Sequence, residues 1–347
     1  MVDRPHEKEG GGMNLSSTPL TQALGIEVPL ICGAMYPCSN PELVAAVSEA
    51  GGIGIVQPMT LTYVCGWDFR KGLSHIRSLT DRPIGVNLII EQSSKVYLKR
   101  CEEWLDISLE EGITFFVTAL GKPDWVVRRA HPEGAIVYHD VTARKWAERA
   151  LDGGVDGFIC VTNRAGGHAG DQTSDQLFED IQPLGKPMVC AGGVGDEETF
   201  VRVIKRGFAG AQLGTRFIAT NECHSHTDYK QAIIDAQAED IVLTERITGV
   251  PVSIIKTPYI EKTGTRAGPL ARWLLRGNKT KHWARAWYSL KSFWSLKRAS
   301  VRGMSYKDYF QAGKSVEGIQ SVEPAGDIVR SYAQALSEQA SKSSIPD

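Results

Sequence analysis

The sequence predicts an α/β protein: a (β/α)8 TIM barrel with a smaller, mainly helical domain inserted after strand 8. Three observations predict this architecture. Eight short apolar runs alternate with helix-like stretches, the alternation stops after Phe217, and an amphipathic stretch over 324–340 could supply the last helix of the ring. A doubly wound sheet usually has about five or six strands and a dinucleotide fingerprint, so eight successive β–α units favour the barrel.

The eight candidate strands are short and apolar, which is typical of parallel strands that are buried on both faces. Along the chain they are Val28–Cys32, Ile53–Val56, Ile84–Leu88, Thr114–Val117, Ala135–Tyr138, Val155–Val161, Pro187–Cys190 and Gly210–Leu213.

The stretches between the strands carry capping residues and the apolar spacing of helices that cover a sheet. Asn40 before Pro41 and Thr142 before Ala143 are candidate N-caps. The helices predicted in this way include Asn40–Ala50, Val141–Leu151 and Asp196–Arg206.

We expect the chain to divide into four parts. Residues 1–19 form a flexible tail, with Met13 as an alternative start, and residues 20–219 form the barrel. Residues 220–316 form the helical insertion, which could act as a lid over the substrate. Residues 317–347 supply the C-terminal helix that completes the barrel.

Composition excludes several classes of protein. A chain of 347 residues, 42% of them hydrophobic, can bury a large core. A net charge of −1 argues against a general nucleic-acid binder, and no apolar run approaches the roughly 18 residues of a membrane span. The seven cysteines form no C-x-x-C pair, which fits reduced thiols in a soluble, cytoplasmic protein.

Cys223 lies near His224 and His226 in the sequence, but no further ligands follow at suitable spacing, so we predict no metal site.

One segment departs strongly from the average charge. Between Lys262 and Arg302 the chain has eleven Lys or Arg and no Asp or Glu, so the remainder carries −12, that is, −1 minus 11. Four of the eight tryptophans lie there: Trp273, Trp283, Trp287 and Trp294. One interpretation is a helical lid with a solvated cationic face, and the other is a binding surface for an acidic carrier protein or a nucleotide. We expect no nucleic-acid partner, because the barrel supplies an enzyme site beside this segment.

Small and polar residues follow most of the predicted strands, at the end of a barrel where catalytic groups lie. Because these strand ends meet at one rim, we treat the residues as one site. They are Gly33-Ala34-Met35 after strand 1, Asn87 at the end of strand 3, His139 after strand 5, Arg164-Ala165-Gly166-Gly167-His168 after strand 6, Ala191-Gly192-Gly193 after strand 7 and Gly214-Thr215-Arg216 after strand 8.

The loops after strands 7 and 8 indicate a phosphate site. Glycines expose backbone N–H groups, a helix N-terminus adds a favourable potential, and Thr215 adds a hydroxyl donor. A flat ring extending from such a phosphate would meet Gly33, which permits close contact, the soft apolar surface of Met35 and the two-sided amide of Asn87. These features favour flavin mononucleotide (FMN) as the cofactor.

Two histidines and one arginine are candidates for contact with the substrate. Glycines flank His168, so its imidazole can approach a ligand closely, although a solvated loop histidine is the alternative interpretation. His139 could bind substrate or be satisfied by a local hydrogen bond, and Arg164 would bring a cation to the pocket.

The motifs named above resemble the nitronate monooxygenase family, formerly called 2-nitropropane dioxygenases. The resemblance runs from about residue 20 to the C-terminus, keeps the order and spacing of the motifs, and includes Pro83–Asn87 and Gly214–Phe217. It implies a TIM barrel with a smaller second domain, FMN as cofactor and His168 as the active-site base. It further implies that the phosphate is bound by Gly192, Gly193, Gly214 and Thr215.

The resemblance also implies a reaction, the oxidation of alkyl nitronates or nitroalkanes with O₂, in which His168 removes the α-proton and the flavin carries the redox step. Many family members have an acidic residue directly before Ala-Gly-Gly-His, where this chain has Asn163-Arg164. A cation there would favour the neutral form of His168.

Two other functions stay open. The same motifs occur in FMN-dependent enoyl-acyl-carrier-protein reductases and in NAD(P)H:quinone reductases, so reduction of an enoyl thioester or a quinone is the second hypothesis. The third is a catalytically idle barrel that binds a partner through its basic insertion. A homodimer is compatible with all three.

Overall fold

The computed structural model describes residues 15–91, 95–245, 251–265 and 309–342. Eight parallel strands close into a barrel, because the first strand pairs with the second on one side and with the eighth on the other. The predicted (β/α)8 barrel is therefore confirmed. Its strands are β1 Leu30–Cys32, β2 Ile53–Val56, β3 Ile84–Ile90, β4 Phe115–Leu120, β5 Ile136–Val141, β6 Gly157–Val161, β7 Met188–Ala191 and β8 Gly210–Leu213.

Helices follow the strands in the order that the sequence pattern predicts. The last helix packs against the helices on either side of it in the ring, Glu197–Arg206 and Pro41–Glu49, as expected for the helix that closes the barrel. The helices are α1 Pro19–Leu24, α2 Pro41–Glu49, α3 Phe69–Leu79, α4 Lys95–Glu110, α5 Asp124–Ala130, α6 Arg144–Asp152, α7 Ser174–Ile181, α8 Glu197–Arg206, α9 Thr215–Ile218, α10 Thr227–Asp235, α11 Pro258–Thr263 and α12 Ala325–Lys342.

Side chains alternate along most of the strands between two apolar clusters. Inward residues such as Ile31, Tyr138 and Val189 fill the barrel, whereas their neighbours Val137 and Cys190 pack beneath the helices. Once one residue of a strand is known to face inward, the two-residue period tells on which side of the wall its neighbours lie.

The amino-terminal end of the barrel is closed by α1, which the sequence analysis did not predict. Leu20 and Leu24 join the cluster inside the barrel. The helix is capped by Thr18, whose hydroxyl also donates to the carbonyl oxygen of Ala209 at 2.6 Å.

One of the two predicted N-caps is wrong, and the other behaves differently than expected. Because strand pairing continues to Val141, the chain stays extended through Thr142, and Ala143 is the N-cap of α6. Asn40 is the N-cap of α2, but its amide does not cap the helix. It donates instead to the carboxylate of Glu42 at 2.7 Å and to the carbonyl oxygen of Glu222 at 2.9 Å.

The described part of the insertion contains an antiparallel strand pair besides helices. These strands, β9 Ile241–Thr244 and β10 Val252–Ile255, were not predicted, because the sequence shows no convincing alternation of strands and helices after Phe217. The basic segment lies outside the described residues except for 262–265, so its role as a lid or binding surface stays a prediction. None of the helices in the described ranges is long and apolar enough to cross a bilayer.

Candidate active site

Two glycines in the loop after β7 are required by the way this loop packs. Gly192 and Gly193 have φ values of 106° and 83°, which L side chains rarely adopt. A Cβ on Gly192 would lie 2.5 Å from the Cα of Ala165, and one on Gly193 would lie 3.0 Å from the Cδ of Arg164. The loops after β6 and β7 therefore touch backbone to backbone.

The segment that returns from the insertion joins these loops, which sequence reasoning missed. The N–H of Gly313 donates to the hydroxyl of Thr215 at 2.9 Å, and the N–H of Lys314 donates to the carbonyl of Arg164 at 2.9 Å. A Cβ on Gly313 would lie 2.7 Å from the nitrogen of Gly166. From the sequence, Gly313 is visible only as a glycine that could allow close packing. The fold is needed to show that it packs against the loop after β6.

This part of the rim presents hydrogen-bond donors that other protein groups do not use. Within the described ranges, the backbone N–H groups of Gly193, Thr215 and Arg216 have no protein acceptor. The Thr215 hydroxyl accepts from Gly313 and keeps its own proton to donate. The unpaired N–H groups of Gly193, Thr215 and Arg216, together with the Thr215 hydroxyl, form a cradle that fits an anion such as a phosphate, because the glycines beside them have no side chain to block it.

The loop after β1 lies next to β8 and reaches the same cradle. Gly33 donates its N–H to the carbonyl of Leu213 at 2.9 Å, and a Cβ there would lie 2.9 Å from the Cγ of Gln212. A Cβ on Gly214 would lie 3.4 Å from the sulfur of Met35. Ala34 packs partly buried on the cluster inside the barrel. The residues predicted to meet the flat ring and the phosphate are therefore neighbours.

The register of the strands shows which residues share a level inside the barrel. A TIM barrel has a shear of about 8, so one level advances by about one residue per strand relative to the paired residues. Applied to the observed pairs, this rule gives an inward layer from the odd-numbered strands at the carboxyl end. Its members are Gly33, Asn87, Asp140 and Ala191.

Asp140 is the member of this layer that the sequence analysis missed, because strand 5 was expected to end at Tyr138. Among the described residues, its Oδ1 atom is buried without a hydrogen-bond partner, and so is the Oε1 atom of Gln212 on β8. Burial raises the pKa of the Asp140 carboxyl group to about 7. Asn87 is buried and donates its amide to the carbonyl of Val117 at 3.1 Å. The layer therefore offers polar groups to a ligand above it.

His168 follows the cradle on the loop after β6, and the insertion holds that loop in place. The N–H of Ser253 in β10 donates to the carbonyl of Gly167 at 2.7 Å. The imidazole is exposed, and no group in the described ranges forms a hydrogen bond with it. Desolvation by the protein on its other sides lowers its pKa below the ordinary 6.5, so the ring is neutral at neutral pH.

His139 lies on the other side of the barrel wall. It has the parity of the outward residues Val137 and Val141, it is buried, and its Nδ1 lies 2.8 Å from the hydroxyl of Thr118. Burial lowers the pKa of its imidazole to about 4. This placement favours the interpretation of a locally satisfied histidine over a substrate contact.

Arg164 is engaged by the protein rather than free for a substrate. It forms an ion pair with Glu317 of the 3-10 turn Lys314–Gly318 and donates to the carbonyl of Lys314 at 3.3 Å. Its charge is therefore balanced, and the side chain holds the returning segment against the cradle.

The group around Cys223 does not converge on a metal. Its thiol points to the carbonyl of Cys38, whereas His224 faces Glu42 and His226 caps α10. Within the described residues no cluster of three or more His, Cys, Asp or Glu could hold a metal ion. All seven cysteines are free thiols.

The fold and the motifs have close counterparts in one family of enzymes. The family model described as nitronate monooxygenase matches residues 17–334. A probable nitronate monooxygenase of Staphylococcus saprophyticus is 28% identical over 289 residues, which cover 71% of this chain and 80% of that protein.

A second relative has another activity. The (3aS,4S,5R,7aS)-5-hydroxy-7a-methyl-1-oxo-octahydro-1H-indene-4-carboxyl-CoA dehydrogenase of Mycobacterium tuberculosis is 27% identical over 280 residues, covering 79% of this chain and 76% of that enzyme.

Two solved structures share the whole fold. FabK from Thermotoga maritima superposes with a TM-score of 0.77 at 28% identity, covering 94% of this chain and 98% of FabK. Nitroalkane oxidase from Streptomyces ansochromogenes superposes with a TM-score of 0.75 over 93% and 99% of the two chains, and at 22% identity this likeness concerns the fold alone.

Proposed function

Because this chain belongs to the nitronate monooxygenase family, as the sequence motifs predicted, we propose that it is an FMN-dependent oxidoreductase that oxidises alkyl nitronates or nitroalkanes with O₂. Family membership makes the protein an oxidoreductase, and the identity of the flavin and of the substrate is our proposal. The observation that carries it is His168, a neutral imidazole exposed next to an anion cradle and without a protein partner in the described ranges.

The residues at the rim fit FMN. The unpaired N–H groups of Gly193, Thr215 and Arg216, with the Thr215 hydroxyl, would hold the phosphate. Gly33, Met35 and the inward layer would receive the ring. Bound FMN would accept the electrons that leave the substrate. Ala165, Gly166 and Gly192 would act by their small size, so that the three loops can meet, whereas Gly167 allows the positive φ of 68°.

His168 would perform the proton transfer. Its free nitrogen accepts the α-proton of a nitroalkane, so the C–H electron pair stays on the substrate as the nitronate and the ring becomes an imidazolium. A pKa below 6.5 keeps the acceptor nitrogen available at neutral pH. A nitronate that is already ionised does not need this step.

The anaerobic absorbance of the FMN-loaded protein tests the proposal. We expect propyl nitronate to bleach the oxidised flavin and NADH to leave it unchanged over the same time. Bleaching by NADH and none by nitronate would reject the proposed substrate, and a protein that binds no FMN would reject the cofactor.

A second function is favoured by the Mycobacterium tuberculosis relative, which is named as a dehydrogenase of a carboxyl-CoA compound. A CoA thioester is also acidic at its α-carbon and carries phosphates that suit the eleven cations of 262–302. Anaerobic NADH followed by an enoyl-CoA separates the two functions. Reoxidation of the flavin by the enoyl-CoA would favour the thioester reaction.

A further inference from the structure

Asp140 carries the ionisable group of an otherwise uncharged layer. The other members, Gly33, Asn87 and Ala191, bear no charge. The Asp140 Oδ1 atom is buried and unpartnered among the described residues, while the residue as a whole keeps partial exposure. A buried polar atom without a partner costs free energy, and a native protein keeps one where a ligand or another function supplies the partner.

The groups around Asp140 leave its charge unbalanced. Burial raises the pKa of the Cys160 thiol on β6, and the neighbouring Cys190 and Asp140 raise it further. His139, on β5 like Asp140, lies on the outer face, where it is neutral and lies within hydrogen-bond distance of Thr118. Across the barrel, Gln212 on β8 is neutral. No described cation pairs with Asp140, and burial accounts for its raised pKa.

We propose that Asp140 contacts the bound flavin and takes up a proton when the flavin is reduced, so that it sets the pH dependence of the flavin's reduction potential. The proposal rests on the proposed function, because it requires FMN above the layer. Bound FMN would take up two electrons from the substrate together with its own proton, and one further proton from solvent would convert the Asp140 carboxylate into the acid. As an acid, Asp140 donates a hydrogen bond to the electron-rich ring, whereas its carboxylate would repel that ring.

The reduction potential of the FMN-loaded protein, measured against pH with a reference dye, tests this role. The range from about pH 5.5 to about 8.5 brackets the carboxyl pKa of about 7. We expect the wild-type potential to fall more steeply above this pKa, where Asp140 is a carboxylate before reduction, by the one extra proton taken up per two electrons. Asp140→Asn should lose the steeper part, because an amide does not titrate. Asp152→Asn, an exposed carboxylate of α6, is the matched control and should keep it.

The outcomes separate this inference from the proposed function. If wild type and Asp140→Asn bind FMN and share one pH profile, the role of Asp140 is rejected while the flavin site stands. If the wild type binds no FMN, both fail. If only the variant loses FMN, infrared difference spectra between the oxidised and reduced wild type test whether Asp140 takes up a proton. A carboxylic-acid band that grows on reduction near pH 7 supports the proposal, and its absence rejects it.

Discussion

The two ends of the barrel differ in how completely their polar groups are satisfied. At the amino end, Leu20 and Leu24 seal the interior and the Thr18 hydroxyl is bonded to Ala209. At the carboxyl end, Asp140 and Gln212 keep buried oxygen atoms without partners in the described ranges. The closed end therefore contributes mainly stability, and the open end retains groups for a ligand at some cost in stability.

The largest predicted difference between substitutions at the two ends is a loss of catalytic activity when His168 is replaced. His168→Asn should lower kcat/KM for a neutral nitroalkane by about 10²- to 10⁴-fold, the usual contribution of a general base. FMN binding should be kept, and a pre-formed nitronate should be affected less, because it needs no deprotonation. His131→Asn, an exposed histidine of the amino end, is the control for steady-state kinetics. Unchanged turnover of the neutral nitroalkane would remove His168 from the proton transfer.

At the closed end, Leu20→Ala should lower the free energy of unfolding by about 2–5 kcal/mol, because a fully buried side chain leaves a cavity. Urea denaturation measures this change. The exposed Leu79 offers the control Leu79→Ala, which should change stability little. FMN affinity of folded Leu20→Ala should equal that of the wild type, and a large loss of affinity would show that the two ends are coupled.

A pair of glycines compares the ends directly. Gly192 and Gly185 both have positive φ, so alanine strains the backbone at either position. A Cβ on Gly192 would meet the Ala165 backbone at 2.5 Å, whereas one on Gly185 would meet no atom within 4 Å. We expect Gly192→Ala to weaken FMN binding about 100-fold, roughly 2.7 kcal/mol, and Gly185→Ala to keep it. Equal FMN dissociation constants for the two variants, measured by fluorescence titration, would contradict the role of Gly192 in shaping the cradle.

Asp140 should lower the free energy of unfolding of the FMN-free protein by an amount that increases with pH. Its folded pKa of about 7 lies above the unfolded value of 3.8, so its contribution to stability is complete below pH 3.8 and is lost as the pH rises through 7. Without FMN, Asp140→Asn should therefore be more stable than the wild type near pH 8 by an amount on the order of 1–3 kcal/mol, and should lose that advantage near pH 4. Denaturation midpoints that differ equally at both pH values would contradict this.

The smallest effect concerns the ion pair between Arg164 and Glu317, which is partly exposed. Glu317→Gln should lower the free energy of unfolding by about 0.2–1 kcal/mol, and FMN affinity by less than about fivefold. Added salt should reduce the difference from the wild type, because it screens the exposed pair. A loss of FMN binding as large as that of Gly192→Ala would show that the pair is part of the cradle.

Much of the barrel and part of its rim could be predicted from local patterns. The strands were found because their apolar runs are short and regularly spaced, and Gly192 and Gly193 were found because a glycine pair after a strand marks a tight loop. Asp140 was missed because the expected end of strand 5 lay before it. Gly313 was missed because it meets Thr215 from 98 residues away along the chain, and nothing in the local pattern identifies such a partner.

The sequence by itself determined the β–α alternation, the glycine loops and the neighbourhood of His168, since these depend on a few consecutive residues. Only the tertiary structure decided that Asp140 faces the interior while His139 faces the helices, and that Glu317 neutralises Arg164. The physical reason is that alternation along a strand distinguishes two faces without saying which one is inside. Closure of the barrel and its shear make that choice through pairing between distant strands.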